Sequence, residues 1–167
     1  MSRINGRDVL VLLKVAANRE NRRSMRSLAE ELGLSASSVS DSVKRLREAG
    51  LLGASPGTKV NRIATREFLI HGLRWVVPGS LAGVELGLPT ADAAAPLREK
   101  LMGPQDFVMP LTGGPSRGVA VAPIDESAPK AAQRDPKLHL LLALADAMRV
   151  GSARSKELAA SEIRAFL

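Results

Sequence analysis

Apolar residues recur at helical spacing in separate stretches of this chain, and those stretches predict its main helices. Residues from Gly6 to Asn18 are apolar on most sides, which favours a helix buried between other elements. From Met25 to Leu32 the apolar positions fall at i, i+3, i+4 and i+7. Gly33 follows at once and supplies the permissive backbone that ends a helix. The pattern therefore predicts two helices within the first 33 residues.

A third helix is predicted directly after Gly33, with Ser35 or Ser37 as its N-cap and Gly50 as its end. Its apolar positions again follow helical spacing, so they would pack on the preceding helix. Two short helices joined by a tight turn are typical of a helix-turn-helix that reads DNA. The opposite face is polar and supplies hydroxyls and cations suited to phosphates and base edges. The candidate DNA-binding residues on this helix are Ser35, Ser37, Ser38, Ser40, Asp41, Lys44 and Arg45.

This segment resembles the winged helix-turn-helix of bacterial transcription regulators, in the broad group of MarR-like and Lrp-like repressors. The resemblance covers residues from about 5 to 77 and implies a winged-helix fold with double-stranded DNA as the partner. Asp41 departs from the pattern, because an acid there repels phosphate; it would either accept from a cytosine amino group or remain solvated beside the groove. The matching positions are Leu28, Ala29, Leu32, Gly33, Leu34, Ser35, Ser37, Ser38, Val39, Ser40, Val43, Lys44, Arg45, Leu46, Gly50 and Leu51.

Cations flank the helix-turn-helix on both sides. Arg22, Arg23 and Arg26 lie at the start of the second helix, where the DNA backbone would pass; a solvated basic loop is the alternative for each of them. On the other side, Leu51-Leu52 and Val60 to Ile63 would form two wing strands around the turn Ser55-Pro56-Gly57. That hairpin would bring Lys59 and Arg62 to a phosphate or the minor groove. Thr65 is then predicted to cap a helix that ends before Pro78.

The charge distribution supports a nucleic-acid partner. Residues 1–77 contain 14 Lys and Arg against 7 Asp and Glu, whereas residues 78–167 contain 10 of each. The whole net charge of +7 therefore lies on the half that carries the helix-turn-helix. A basic field confined to one domain indicates a phosphate-binding surface.

The character of the chain changes after residue 77. Nine of the ten prolines and seven glycines lie between Pro78 and Pro136, which predicts an irregular segment over 78–135. We expect only a short helix at Pro96 to Met102 and short strands at Phe107 to Leu111 and Gly118 to Pro123. The predicted division is thus a DNA-binding domain over 1–77, the Pro/Gly-rich segment, and a helical hairpin over 136–167. The fold class is mainly α with a small β wing (α+β).

The hairpin begins with Asp135 as cap and Pro136 at the first helical position, and its first helix ends at Gly151. Its leucines span a wider face than one neighbour covers. That face either closes the protein's own core or binds a second copy or another protein. If it does not form a dimer, the first helix or the helix after Thr65 would. The C-terminal half also resembles, more loosely, abortive-infection antitoxins, through the sequence LLALADAMR and the Gly151–Ala159 segment.

No catalytic residue, metal site or cofactor is predicted. His71 and His139 are 68 positions apart, no serine has the Gly-x-Ser-x-Gly setting, and the chain has no cysteine. The apolar runs are too short to span a membrane, so we expect a cytoplasmic protein without a membrane partner.

The sequence therefore predicts a transcription regulator, a repressor acting as a homodimer on a palindromic operator. The alternative is an antitoxin or adaptor that binds a toxin or other protein through its C-terminal half and autoregulates its own operon.

Overall fold

The computed structural model describes residues 3–18, 23–54 and 57–167. It begins with α1 (Gly6–Ala17), whose residues from Asp8 to Ala17 are all buried, as the apolar run predicts. The side chain of Asn5 accepts a hydrogen bond from the Asp8 amide at 3.1 Å, and the Asp8 carboxylate accepts one from the Asn5 amide at 3.1 Å. This capping box fixes where α1 begins.

The helix-turn-helix consists of α2 (Met25–Leu32) and α3 (Ala36–Glu48). Gly33 ends α2 with φ of 67°, a left-handed conformation that favours glycine. Ser35 is the N-cap of α3. The inward-facing residues Leu32, Val43 and Leu46 are each at most 2% exposed. Both helices and the turn between them are therefore confirmed.

The wing is smaller than the sequence predicts. One antiparallel bridge joins Leu52 to Val60, and the Gly53 amide donates to the Lys59 carbonyl at 2.8 Å. Ser55 and Pro56, which belong to the predicted turn, lie outside the described residues. The prediction of a strand from Val60 to Ile63 is wrong for its second half, because helix α4 (Arg62–Glu67) begins there.

The start of α4 also corrects the predicted cap. Asn61, four residues before Thr65, is the N-cap: its side chain accepts from the Ala64 amide at 3.2 Å and donates to the Gly50 carbonyl at 3.0 Å. Thr65 is fully buried inside the helix instead. A π-helical turn (Phe68–Gly72) and α5 (Leu73–Val76) continue the helix up to the residues before Pro78.

The middle segment is more regular than its proline and glycine content predicts. Strand β1 (Leu81–Thr90) pairs antiparallel with both β2 (Phe107–Pro110) and β3 (Ser116–Val121), and the last two pair in parallel, so three strands close a small barrel. The two short strands are confirmed, and so is a short helix, α6 (Leu97–Lys100). The irregular interpretation is wrong for β1 and for α7 (Ala128–Arg134), which contains Pro129 in its first turn.

The C-terminal hairpin consists of α8 (Pro136–Val150) and α9 (Ala153–Phe166). Asp135 caps α8 as predicted, since its carboxylate accepts from the Lys137 and Leu138 amides at 3.1 Å each. Leu141 and Leu144 are 1% exposed. Because α1, α7, α9 and β1 pack around α8, the leucine face of α8 closes the protein's own core, which is the first of the two alternatives that the sequence leaves open.

Arg149 of α8 fixes the junction between the helical half and the barrel. Its guanidinium donates to the carbonyls of Val77 at 2.9 Å, Pro78 at 3.1 Å and Ala122 at 3.0 Å, and to the Asp146 carboxylate at 2.7 Å. Burial raises the pKa of Asp146, although the Arg149 charge opposes that rise. One hydrophobic cluster contains residues from all three predicted segments, and the division at residues 77 and 135 stays a prediction. No helix in the described ranges is long and apolar enough to cross a membrane.

Candidate nucleic-acid interface

The first turn of α3 carries a cluster of hydroxyls. Ser35 Oγ accepts from the Ser38 amide at 3.2 Å, donates to Ser38 Oγ at 2.8 Å and lies 3.2 Å from Ser37 Oγ. Ser35 and Ser37 are exposed and Ser38 is half-buried. The cluster therefore holds small polar groups at the positive end of the helix dipole, where they could approach a phosphate closely.

A polar stripe runs along the outer face of α3 from this cluster. Ser37, Ser40, Asp41 and Lys44 are all exposed, and they follow one another at helical spacing. Lys44 makes no salt bridge within the described residues. Four of the predicted site residues are therefore brought together on a surface that another molecule can reach.

The inner face of α3 is buried in the protein core. Val39, Ser42, Val43 and Leu46 are each at most 1% exposed. Burial of this face fixes the rotation of the helix about its axis, so the polar stripe points outward.

Arg45 is placed differently from its neighbours on the stripe. Its Nε lies 2.9 Å from Asp8 Oδ2 and its Nη2 lies 2.8 Å from Asp8 Oδ1, a two-pronged ion pair to a carboxylate with no exposed surface. The hydrogen bond that the Arg45 guanidinium donates to Asp8 raises the pKa of Arg45, while partial burial opposes the rise. Both prongs of the guanidinium thus bind α1, and only 21% of the Arg45 side chain is exposed.

The arginines at the start of α2 differ in whether other side chains already bind them. Arg22 lies outside the described residues. Arg23 forms an ion pair with Glu31 and donates to the Asn18 side chain at 3.4 Å. Arg26 is 88% exposed and pairs only loosely with Glu30, at 3.3 Å along the same helix. Such an exposed ion pair contributes little to stability, so Arg26 can readily leave Glu30 and bind a phosphate.

Lys59 and Arg62, the two cations predicted for the wing, differ in exposure and in their partners. Lys59 is exposed next to the Leu52–Val60 bridge. Arg62 is the first residue of α4 rather than part of a strand, and its Nε donates to the Leu167 carbonyl. The chain thus positions Arg62 through the end of α9.

Two residues that sequence reasoning did not single out organise this surface. Asp8 binds Arg45, and Arg47 donates from Nη2 to the Gly57 carbonyl at 2.7 Å, which ties α3 to the wing. The Asn5-x-x-Asp8 spacing signals a capping box but gives no indication of a partner 37 residues away. No pattern in the sequence indicates the Arg47 contact.

Residues 4–59 match the family model described as the MarR family. The match contains α1, both helices of the helix-turn-helix and the wing up to Lys59, so the winged helix-turn-helix and its resemblance are confirmed. Members of this family are transcription regulators that bind DNA, and the match covers 56 of the 167 residues of this chain. The match does not reach the C-terminal half, whose resemblance to antitoxins stays a prediction. Neither the curated proteins nor the solved structures include a match to the chain.

Proposed function

We propose that this chain, which carries a MarR-family segment over residues 4–59, represses transcription as a homodimer bound to a palindromic operator. The observation that carries the proposal is the outer stripe of α3, where Ser37, Asp41 and Lys44 are exposed on a helix whose opposite face is buried. A helix held in one orientation presents the same side chains to every DNA site, which favours sequence discrimination in the major groove.

The candidate residues divide by what they would contact. Those on the exposed stripe and first turn of α3 are proposed to reach base edges: Ser37, Ser38, Ser40, Asp41 and Lys44. Those around the helix-turn-helix are proposed to contact phosphates: Arg22, Arg23, Arg26, Ser35, Lys59 and Arg62. Arg45 is assigned a positioning role, because its guanidinium already binds Asp8.

A dimer interface is proposed at α5, since the alternatives on α1 and α8 are buried in the core. Trp75 is 70% exposed and Val76 is 43% exposed, and the Arg74 guanidinium lies 4.6 Å from the centre of the Trp75 ring. Tryptophan and arginine are the residues most enriched at the centres of protein interfaces. A two-fold dimer would place its recognition helices in major grooves about one helical turn, roughly 34 Å, apart.

Repression is the simpler regulatory outcome for this architecture. It requires only that the protein occupy DNA needed by the transcription machinery, whereas activation requires a further productive contact. The proposed DNA contacts and the proposed self-association surface would suffice for occupancy.

Selection of bound fragments from the source genome tests the proposal. The recovered fragments should share a dyad-symmetric sequence, the complex should contain two chains per site, and transcription in vitro from a recovered promoter should fall as protein is added. An asymmetric site holding one chain would contradict the homodimer, and increased transcription would contradict repression.

A further inference from the structure

A second potential site lies far along the chain from the DNA-binding helices. A cavity of about 400 Å³ opens between the 3₁₀ turn Ala91–Ala93, the loop that follows α6, and the N-terminus of α9. Polar groups from all three segments line it, among them Asp92, Gln105, Ser152 and Arg154. Its volume is within the range of pockets that bind small molecules.

Asp92 is the unusual member of this lining. It is 5% exposed, yet its Oδ1 has no hydrogen-bond partner anywhere in the part of the chain that the structure describes. Among the described residues, Asp8 and Asp146 are the other carboxylates buried to this degree, and each binds an arginine. A buried acceptor without a donor is costly, so a carboxylate in this setting favours any ligand that supplies one.

The backbone beside Asp92 is held in an uncommon conformation. Ala91 has φ of 49°, in the left-handed region that residues other than glycine seldom adopt. Ala91 is fully buried and Ala93 is 8% exposed, so packing on both sides holds the turn in place. Strained backbone of this kind is concentrated at ligand-binding and catalytic sites.

The two cations in the cavity wall each have a carboxylate partner. Lys100 forms an ion pair with Glu162, and Arg154 pairs with Glu157 at 2.9 Å. Among the described lining residues, the Asp92 carboxylate is therefore the one ionisable group without a partner. The complementary ligand carries a positive charge and N–H donors.

Apolar side chains complete the site. Leu101 and Met102 line the cavity from the loop after α6 and would contact an alkyl chain. We propose that this cavity binds a small organic cation, a primary alkylammonium group whose nitrogen donates to Asp92 and whose carbon chain lies against Leu101 and Met102. The proposal goes beyond DNA binding and does not depend on it.

Amide NMR of the full-length protein, titrated with butylammonium chloride, tests the site. We expect saturable shifts confined to residues 91–93, 101–105 and 152–155, at least a tenfold weaker affinity for Asp92→Asn, and no loss for the exposed control Glu126→Gln. Titration of the wild-type protein with 1-butanol, which has the chain without the charge, should give no saturable shifts.

Three results would overturn the proposal. The first is the absence of saturable shifts with butylammonium in the wild-type protein. The second is equal affinity of 1-butanol and butylammonium for the wild-type protein, a comparison that does not depend on how Asp92→Asn folds. The third is stronger binding of butyrate than of butylammonium, which would indicate an anion site built by Lys100 and Arg154.

Discussion

The guanidinium of Arg45 donates two hydrogen bonds to the carboxylate of Asp8, at 2.9 and 2.8 Å. The two residues are 37 positions apart in the sequence. Asp8 lies in the first turn of the buried helix α1, and Arg45 lies next to the exposed stripe of α3. The pair therefore joins the protein core to the surface proposed to meet DNA. An ion pair in this position fixes the recognition helix without using the side chains that remain exposed.

Removal of Arg45 should destabilise the protein strongly. Arg45→Met leaves the fully buried Asp8 carboxylate without its cation, and loss of one partner of a buried pair costs about 3–5 kcal/mol. The double variant Asp8→Asn/Arg45→Met removes that uncompensated charge, so it should recover part of the loss. Urea unfolding of the wild-type protein and both variants gives the free energies of unfolding to be compared. Equal losses in the single and double variants would show that the charge pairing contributes nothing.

A second ion-pair cluster predicts a pH dependence of stability. Lys14, whose side chain is 5% exposed, lies 2.7 Å from Glu31 of α2 and 2.6 Å from Asp135 at the start of α8. Burial of Asp135 opposes its ionisation, but the hydrogen bond and charge of Lys14 and the hydrogen bond from the Leu138 amide outweigh it. Together they hold the pKa of Asp135 below its ordinary value.

A carboxylate with a lowered folded pKa stabilises the protein above its ordinary pKa of about 3.9, and that contribution disappears as the pH falls through the folded pKa. Unfolding free energy should therefore fall more steeply below about pH 4 in the wild-type protein than in Asp135→Asn. Urea titrations from neutral to acidic pH measure both slopes. Glu126→Gln, at an exposed carboxylate, should retain the wild-type slope, and an identical slope for Asp135→Asn would contradict the account.

Trp75 should determine the oligomeric state. Trp75→Glu places a charge at the centre of the proposed interface, where desolvation is unfavourable, and should convert the proposed dimer to a monomer. Val84→Glu is the matched control, because Val84 is an apolar side chain on β1, outside α5, and is 56% exposed. Sedimentation equilibrium gives the masses of both variants. A Trp75→Glu protein that remains dimeric would move the interface away from α5.

The contribution of the flanking cations should be visible in the salt dependence of DNA binding. Each phosphate that a lysine or arginine neutralises contributes about −0.9 to the slope of log affinity against log salt concentration. Arg26→Ala and Lys59→Ala should each make the slope shallower by about one phosphate contact. Lys137→Ala, at an exposed position on α8, should leave the slope unchanged. Wild-type binding that is independent of salt would contradict the proposed phosphate contacts.

The elements that could be predicted from the sequence are those that local signals specify. Apolar runs and stripes identify α1, α2, α3 and α8, and three of these helices also carry a local end signal: Gly33 for α2, Ser35 for α3 and Asp135 for α8. The outward stripe of α3 follows from the same periodicity. The helix-turn-helix and its exposed polar face were therefore predictable.

Strand β1 and the Arg45–Asp8 pair depend on contacts between distant parts of the chain, which local sequence signals do not indicate. Strand β1 contains Gly83, Gly87 and Pro89, which locally indicate a break. Gly87 is required within the strand, because a Cβ there would lie 2.0 Å from the Met109 carbonyl oxygen of β2. The Arg45–Asp8 pair is equally non-local. The sequence accordingly places Arg45 among the candidate DNA contacts, whereas in the structure its guanidinium binds Asp8 of α1.

We propose that the exposed stripe of α3 contacts DNA, and substitution of Lys44 tests this contact most directly. Fluorescence anisotropy at one salt concentration should compare wild type, Lys44→Ala and the exposed control Lys130→Ala on a selected genomic site and on a random duplex of equal length. A base contact by Lys44 predicts that Lys44→Ala loses about 1–3 kcal/mol on the selected site and less on the random duplex, while a phosphate contact predicts equal losses on both. Lys130→Ala should bind both duplexes like the wild-type protein. Wild-type affinity of Lys44→Ala for both duplexes would contradict the account.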